Sequence, residues 1–226
     1  MKIGRQPSPR AREPRYGVSE GGPLQERDLA QAGGLPISSL ARLAAIVFMI
    51  FCACPARADA IADKAEVCGS CHGDKGVPQE KITPVIWGQS VGYLYLQLRD
   101  FKKGARADDV MQAIVADIEK DEMLALAEYF SAKPWPSLGQ PTAPDAVARQ
   151  ALAANGSVGC TGCHLDKYQG DGGSVPRLAG QSRDYMTKTV AEFRSRARAN
   201  NPGMSDLMKA TPEPDLAALA QFLAGL

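Results

Sequence analysis

One short motif occurs twice in the sequence, and this repetition constrains the fold more than any other feature. Residues 68–72 and residues 160–164 both read C-x-x-C-H, and the two copies begin 92 residues apart. The chain of 226 residues has two histidines, and each of them ends one of these copies. We therefore expect the chain to contain two copies of one structural unit, each built around a C-x-x-C-H motif.

The motif indicates a particular chemistry. Two thiols three residues apart lie on the same side of a helical turn, so both can form thioethers with the two vinyl groups of one porphyrin. The histidine that follows then lies under the iron and supplies its proximal nitrogen. The sequence therefore predicts two covalently bound haem c groups, with Cys68, Cys71, Cys160 and Cys163 as attachment sites and His72 and His164 as iron ligands.

Two other uses of a C-x-x-C pair compete with this interpretation. A redox-active disulfide should open a helix within a β-α-β pattern, and the sequence shows no strand pattern. A zinc site would use four cysteines or a mixture of cysteine and histidine, which does not explain a histidine directly after each second cysteine. Haem attachment accounts for both histidines and for every cysteine after residue 58.

The duplication extends well beyond the motif. A shift of 92 residues aligns, without a gap, Pro84 with Pro176, Gly88-Gln89-Ser90 with Gly180-Gln181-Ser182, Tyr93 with Tyr185, Phe101 with Phe193 and Arg106 with Arg198. The apolar spacing predicts an all-α fold, with helices over residues 60–71, 90–103, 121–132, 146–155, 182–197 and 213–224. We predict two tandem haem domains, at residues 59–133 and 146–226, joined by a Pro-rich linker at 134–145.

Each haem needs a second axial ligand, and both histidines are already assigned as proximal ligands. Methionine is the obvious remaining donor, and an offset of 93 residues aligns Met111 with Met204. The other methionines after residue 58 are Met123, Met186 and Met208, and they pair with aliphatic residues in the repeat, as core residues would. We predict Met111 and Met204 as the sixth ligands, with Met208 as the alternative to Met204.

A proline follows each histidine at the same distance. Pro84 and Pro176 each lie 12 residues after the histidine of their repeat. A histidine that binds a metal holds its other ring N–H against an acceptor, often a backbone carbonyl. We predict that the carbonyls of Pro84 and Pro176 orient His72 and His164, and the alternative is that both prolines serve only as turn residues.

The N-terminal segment has the features of an export signal. Arg42 precedes an apolar run at 43–54, and Ala56-Arg57-Ala58 supplies the small-x-small pattern of a cleavage site. The run is short for a transmembrane helix, which needs roughly 20 apolar residues. We predict a signal peptide within residues 1–58 and a periplasmic protein. An uncleaved membrane anchor and a lipoprotein cysteine at Cys54 are the alternatives.

Over residues 60–226 the repeated pattern resembles the haem unit of cytochrome c4. The first repeat reads C-x-x-C-H-G, then P-x-x-x-G-Q-S, Tyr, F-K-x-G-x-R, Met and L-A-x-Y. The resemblance implies two class I c-type cytochrome folds related by a pseudo-twofold axis, His/Met ligation at both haems, and electron carriage in the bacterial periplasm. The departures between the repeats include Gly73 and Leu165, Gly104 and Arg196, and Trp87 and Ala179.

These features predict an electron-transfer protein and not an enzyme, because six-coordinate iron leaves no position for a substrate. The resemblance implies that the protein carries single electrons between respiratory-chain donors and a terminal oxidase or another acceptor. A dihaem subunit of a periplasmic dehydrogenase, of the flavocytochrome c sulfide dehydrogenase type, and a haem peroxidase are the alternatives. We expect redox partners such as a membrane oxidase, a cytochrome complex or a flavoprotein, and peripheral membrane association fits this expectation. The formal net charge of +1 gives no indication of nucleic-acid binding.

Overall fold

The computed structural model describes residues 55–226, which form helices and loops. In chain order the α-helices are α1 (Pro55–His72), α2 (Val91–Lys102), α3 (Asp109–Val115), α4 (Lys120–Ser131), α5 (Asp145–Val158), α6 (Cys160–His164), α7 (Arg183–Ser195), α8 (Pro202–Ala210) and α9 (Glu213–Ala224), with a 3-10 turn at Asp166–Tyr168. The described part of the chain contains no β-strand, and the predicted all-α fold is confirmed. Most of the predicted signal peptide, including Cys52 and Cys54, lies outside the described residues. No helix within them is both long enough and apolar enough to span a bilayer.

Each repeat packs its last helix against two others. In the first repeat α4 contacts α1 and α2, and in the second repeat α9 contacts α5 and α7. The cause is a stripe of apolar residues with helical spacing, which an amphipathic helix turns towards the core. The buried residues include Met123, Leu126, Ala127 and Phe130 on α4, and Leu216, Leu219, Ala220 and Leu223 on α9. The two sets are related by the offset of 93 residues, so the duplication includes the core.

The helix that carries the C-x-x-C-H motif is continuous in the first repeat and broken in the second. α1 runs through to His72, whereas α5 ends at Val158 and α6 begins at Cys160. Gly159, between them, has φ 79° and ψ 33°, a left-handed conformation that glycine adopts without strain. Both arrangements place the motif on a helical turn.

An exchange of large and small residues preserves the packing of the two cores. In the first repeat Trp87 lies so close to Gly76 that a Cβ on the glycine would be 2.7 Å from the indole ring. The equivalent residues of the second repeat are Tyr168 and Ala179, and both are buried in one apolar cluster. In the first repeat the large aromatic residue is at position 87 and the small one at position 76. In the second repeat the aromatic residue is Tyr168, at the position equivalent to 76, so a small Ala179 fits where the first repeat has Trp87.

The other two departures retain the positive φ of the glycine at the equivalent position. Gly73 and Gly104 have φ values of 86° and 70°, and their counterparts Leu165 and Arg196 have φ values of 60° and 62°. Leu165 combines its φ with a ψ of 176°, a region that is almost restricted to glycine. The second repeat therefore holds a strained leucine directly after His164.

Within residues 55–226 the two repeats contact each other through equivalent residues. Arg106 and Arg198 form an isolated antiparallel bridge. Nη2 of Arg106 donates to the hydroxyl of Tyr185 at 3.1 Å, and Nη2 of Arg198 donates to the hydroxyl of Tyr93 at 3.2 Å. Because residues 93 and 185 are equivalent, this reciprocal pattern is the one that a pseudo-twofold axis produces.

The linker packs against the same position of both repeats. A Cβ on Gly88 would lie 3.0 Å from the backbone nitrogen of Trp135, and a Cβ on Gly180 would lie 3.0 Å from its Nε1. The guanidinium carbon of Arg177 lies 4.4 Å from the centre of the Trp135 ring. The first residue of each G-Q-S motif therefore packs directly against this tryptophan, and its positive φ, 65° at Gly88 and 75° at Gly180, also favours glycine.

Replacing Leu165 with glycine should increase the stability of the protein. Leu165 is 47% exposed, so little buried surface is lost, and backbone strain of roughly 1–3 kcal/mol is relieved. We expect Leu165→Gly to raise the free energy of unfolding by about 1 kcal/mol in urea denaturation followed by circular dichroism. The matched reverse change, Gly73→Leu, should lower it, because the added Cβ would clash with the carbonyl oxygen of Val77. A less stable Leu165→Gly variant would contradict the strain argument.

Candidate haem centres

The last turn of α1 carries the three residues predicted to hold the first haem. Cys71 is exposed, Cys68 is partly buried and His72 is 8% exposed. Nδ1 of His72 lies 2.8 Å from the carbonyl oxygen of Pro84. Because a carbonyl can only accept, Nδ1 must be the ring nitrogen that carries the proton. Nε2 is then the nitrogen with a lone pair for a metal.

The second centre has the same geometry on α6. His164 is 6% exposed, and its Nδ1 lies 2.9 Å from the carbonyl oxygen of Pro176. Cys160 is partly buried and Cys163 is exposed, as are their counterparts in the first repeat. The structure therefore brings each histidine to the proline 12 residues further along the chain, although the helix before it is built differently.

Burial favours the neutral form of both rings. It lowers the pKa of His72 and of His164, and the proline carbonyl opposes this shift in each repeat. Burial also raises the pKa of the Cys68 and Cys160 thiols. Since neutral imidazole is the form that binds a metal, both rings are in the protonation state that a ligand requires.

The two predicted methionine ligands occupy equivalent places on short helices. Met111 lies on α3 and Met204 on α8, and both are partly buried. The side chain of Asp108 accepts a hydrogen bond from Met111 N at 3.0 Å, and that of Asn201 accepts one from Met204 N at 3.1 Å. An N-terminal cap of the same type therefore holds the backbone of both methionines.

The sequence prediction missed α3 and α8, the helices that carry these methionines. Both are short, and so few turns give too little apolar periodicity to detect. A capping signal was available, because Asp108 and Asn201 each lie three residues before the methionine. Pro202 adds a second signal, since proline is favoured at the first position of a helix.

The residues present fit two covalently bound haem groups. Each repeat offers two free thiols, a buried imidazole and a partly buried thioether. Arg106 and Arg198 are 8% and 4% exposed, and neither forms an ion pair with a carboxylate among residues 55–226. Both guanidinium groups donate to a tyrosine hydroxyl and lie over a phenylalanine ring, and the carboxylates of haem would be partners of opposite charge for them.

The structure does not support the two other uses of the cysteines. Between residues 55 and 226 no group of three or more His, Cys, Asp or Glu side chains is arranged to hold a metal ion. A redox-active disulfide within a β-α-β unit requires strands, and the same residues form none.

Known proteins resemble the chain over most of its length, although no family model matches it. Cytochrome c4 of Azotobacter vinelandii is 32% identical over 180 residues, which cover 72% of this chain and 86% of the relative. The thiosulfate dehydrogenase electron acceptor of Stutzerimonas stutzeri is 32% identical over 173 residues, which cover 72% of this chain and 80% of that protein. The crystal structure of reduced cytochrome c4 from Pseudomonas stutzeri matches with a TM-score of 0.66 at 29% identity, and the match covers 75% of this chain and 98% of that one.

The helical fold and the duplicated motif define a dihaem c-type cytochrome that transfers electrons. The chain belongs to the cytochrome c4 family, and it binds two covalent haem c groups. The cytochrome c4 relatives are electron carriers rather than enzymes.

Two further similarities involve dehydrogenases. The structure of a thiosulfate dehydrogenase from Marichromatium purpuratum matches with a TM-score of 0.61 at 25% identity, and the match covers 70% of this chain and 36% of that one. The cytochrome subunit of sulfide dehydrogenase from Chlorobaculum tepidum is 36% identical over 63 residues, which cover 28% of this chain and 56% of that protein. The second similarity is therefore the weaker of the two.

Removing the thiols of one motif should remove one haem. We expect the double variant Cys160→Ala/Cys163→Ala to contain one haem per chain in a pyridine haemochrome assay, compared with two in the unmodified protein. Thr161→Ser, within the same motif, is the matched control, and it should retain both haems because it leaves both thiols in place. Two haems in the first variant would contradict the second attachment site.

Proposed function

We propose that the protein carries single electrons in the periplasm, between respiratory-chain donors and a terminal oxidase or another acceptor, and that it does not act on a substrate. The equivalence of the two centres carries this proposal. Each centre has the same thiols, the same contact between a histidine and a proline carbonyl, and a methionine at the same capped position. Two complete donor sets allow both irons to be six-coordinate, which leaves no position for a substrate.

When bound, each haem supplies an iron centre that gains or loses one electron. In the proposed arrangement Nε2 of His72 and the sulfur of Met111 would bind the first iron. Nε2 of His164 and the sulfur of Met204 would bind the second. The proline carbonyls orient the imidazole rings, and the capping side chains hold the backbone of the methionines. Methionine ligation gives a higher reduction potential than ligation by two histidines.

The packing of Met208 supports Met204 as the ligand of the second iron. Met208 is 5% exposed and packs with Phe193 and Leu216 in an apolar cluster, whereas Met204 is only partly buried against that cluster. The counterpart of Met208 in the first repeat is Val115, which is fully buried. A position that is an aliphatic core residue in one repeat is best explained as a core residue in the other.

Replacing the methionines one at a time tests this assignment. Met111→Ala and Met204→Ala should each remove about half of the Met–iron absorption near the red edge of the visible spectrum, because each breaks the bond at one haem of two. Met208→Ala is the matched control, and it should retain the full absorption while losing about 2–5 kcal/mol of stability as a buried methionine. Loss of the absorption in Met208→Ala but not in Met204→Ala would make Met208 the ligand.

A second candidate function is that of an electron-accepting partner of a periplasmic dehydrogenase. The similarity to a protein named as a thiosulfate dehydrogenase electron acceptor, of which the chain covers 80%, favours this function. The chemistry at the haems is the same in both functions, and only the electron donor differs. The flavocytochrome c sulfide dehydrogenase alternative rests on the shorter similarity over 63 residues.

Electron-transfer measurements on the purified mature protein test the proposed function. We expect a donor dehydrogenase or a respiratory-chain donor to reduce both haems in a stopped-flow experiment, and membranes containing a terminal oxidase to reoxidise them. Cyanide should bind weakly to the resting protein, because both irons already have six ligands. A high-spin signal at rest, or tight cyanide binding, would contradict the carrier proposal and favour the peroxidase alternative. Cell fractionation tests the location, and the uncleaved-anchor alternative requires the protein in the membrane fraction.

A further inference from the structure

Each repeat extends a glutamine side chain to the backbone of the other repeat. Oε1 of Gln181 accepts from Val85 N at 2.9 Å, and Nε2 of Gln181 donates to Val85 O at 3.0 Å. Gln89 makes the same two bonds to Arg177, accepting from its N at 2.7 Å and donating to its O at 2.9 Å. Residues 85 and 177 are equivalent in the repeat, so the two glutamines act reciprocally.

The residues held in this way directly follow the prolines that contact the histidines. The carbonyl of Pro84 and the N–H of Val85 belong to one peptide unit, which is planar. His72 donates to the carbonyl end of this unit, and Gln181 accepts from its N–H end. The direction of the carbonyl is therefore set in part by a side chain of the other repeat.

The same arrangement occurs at the second centre. The carbonyl of Pro176 and the N–H of Arg177 form one peptide unit, with His164 hydrogen-bonded to the carbonyl and Gln89 to the N–H. Within residues 55–226 no backbone group of its own repeat bonds to the N–H or the carbonyl of residue 85 or of residue 177. In the described structure the backbone of residue 85 and that of residue 177 are each hydrogen-bonded by the glutamine side chain of the other repeat.

Burial makes these bonds effective. Gln89 and Gln181 are each 3% exposed, and Val85 is 1% exposed. Water therefore does not compete for the backbone groups of Val85, whereas the bonds between Gln89 and Arg177 are partly buried. A buried N–H or carbonyl that loses its partner has no replacement nearby.

A serine next to each glutamine makes the two sides unequal. Oγ of Ser90 donates to the carbonyl of Val175 at 2.8 Å, directly before Pro176. Oγ of Ser182 donates to the carbonyl of Lys81, which lies three residues before Pro84. The first repeat therefore bonds to the residues directly before and directly after Pro176. The second repeat bonds to the residue directly after Pro84, but on the other side its bond is three residues away.

We propose that Gln181 and Gln89 are positioning residues that act across the repeats. Gln181 fixes the carbonyl that orients His72, and Gln89 fixes the carbonyl that orients His164. This inference rests on the proposed function, in which the two histidines are the iron ligands. A hydrogen bond from the ring N–H to a carbonyl makes the imidazole a stronger electron donor, which favours oxidised iron. The redox properties of each haem therefore depend on a side chain of the opposite repeat.

Spectroscopic redox titration of the mature two-haem protein tests the proposal. We expect Gln181→Leu to weaken the bond between His72 and Pro84 and so to increase the equilibrium constant for reduction of the first haem by about threefold to tenfold. Gln89→Leu should do the same for the second haem, with a smaller increase because Ser90 still holds Val175. Gln181→Asn retains a polar amide that is one methylene too short, and it gives the measurement if the leucine variant does not fold.

Gln169→Leu is the matched control. Gln169 is exposed, and its amide donates to the carbonyl of Lys167 at 3.4 Å, within its own repeat. Neither equilibrium constant should change in this variant. If Gln181→Leu lowers the stability but leaves both constants unchanged, the glutamine only joins the repeats and the proposal is wrong. The proposal is also wrong if the haem of the glutamine's own repeat is the one that changes.

To learn which haem each substitution affects, the glutamine changes are repeated in the Cys160→Ala/Cys163→Ala variant, which retains only the first haem. In this background Gln181→Leu should still increase the equilibrium constant for reduction of the first haem, and Gln89→Leu should not. Proton NMR of the ring N–H of His72 in the two-haem protein gives the same assignment if this variant does not fold. Absence of haem from Cys68 and Cys71 in the unmodified protein would contradict the proposed function itself, whereas unchanged constants with both haems in place would contradict only the role of the glutamines.

Discussion

A hydrogen bond between a histidine N–H and a proline carbonyl is the contact on which both haem centres depend. It holds the ring of His72 or His164 with Nε2 free, and it brings the end of a helix against a loop 12 residues further along. The helix positions the ring, and the loop positions the carbonyl. Because the backbone of the residue after the proline has its hydrogen-bond partner in the other repeat, the contact also ties the geometry of each centre to the packing between the repeats.

The G-Q-S motif shows how three adjacent residues can serve this packing. Its glycine has no Cβ and so admits Trp135 of the linker, and its glutamine holds the opposite proline loop. Its serine precedes the next helix, and in both repeats its hydroxyl also bonds to a carbonyl of the opposite loop. A short stretch that is identical in both repeats therefore supplies six hydrogen bonds across the repeats near the two prolines.

The sequence was sufficient for the parts of the structure that depend on spacing along the chain. The motif, the offset of 92 residues and the apolar stripes predicted the two repeats, the helical fold and the long helices. Contacts between repeats could not be predicted in this way, because nothing in the spacing of Gln181 indicates that Val85, 96 residues earlier, is its partner. The exchange of Trp87 for Tyr168 could not be predicted either, since the two aromatic side chains pack in the cores of their repeats from positions that are not equivalent in the sequence alignment.

Reciprocal contacts between equivalent residues are the pattern of an isologous interface, in which two identical subunits meet across a twofold axis. In a dimer of identical subunits every substitution occurs twice, on both sides of the axis. In a single fused chain a substitution can occur once. Asn200, the residue by which the second repeat is longer, donates to Gln97 at 3.1 Å and to Asp100 at 2.9 Å, and the first repeat has no counterpart. Gene fusion thus frees the two redox centres to acquire different surroundings, which symmetry would otherwise forbid.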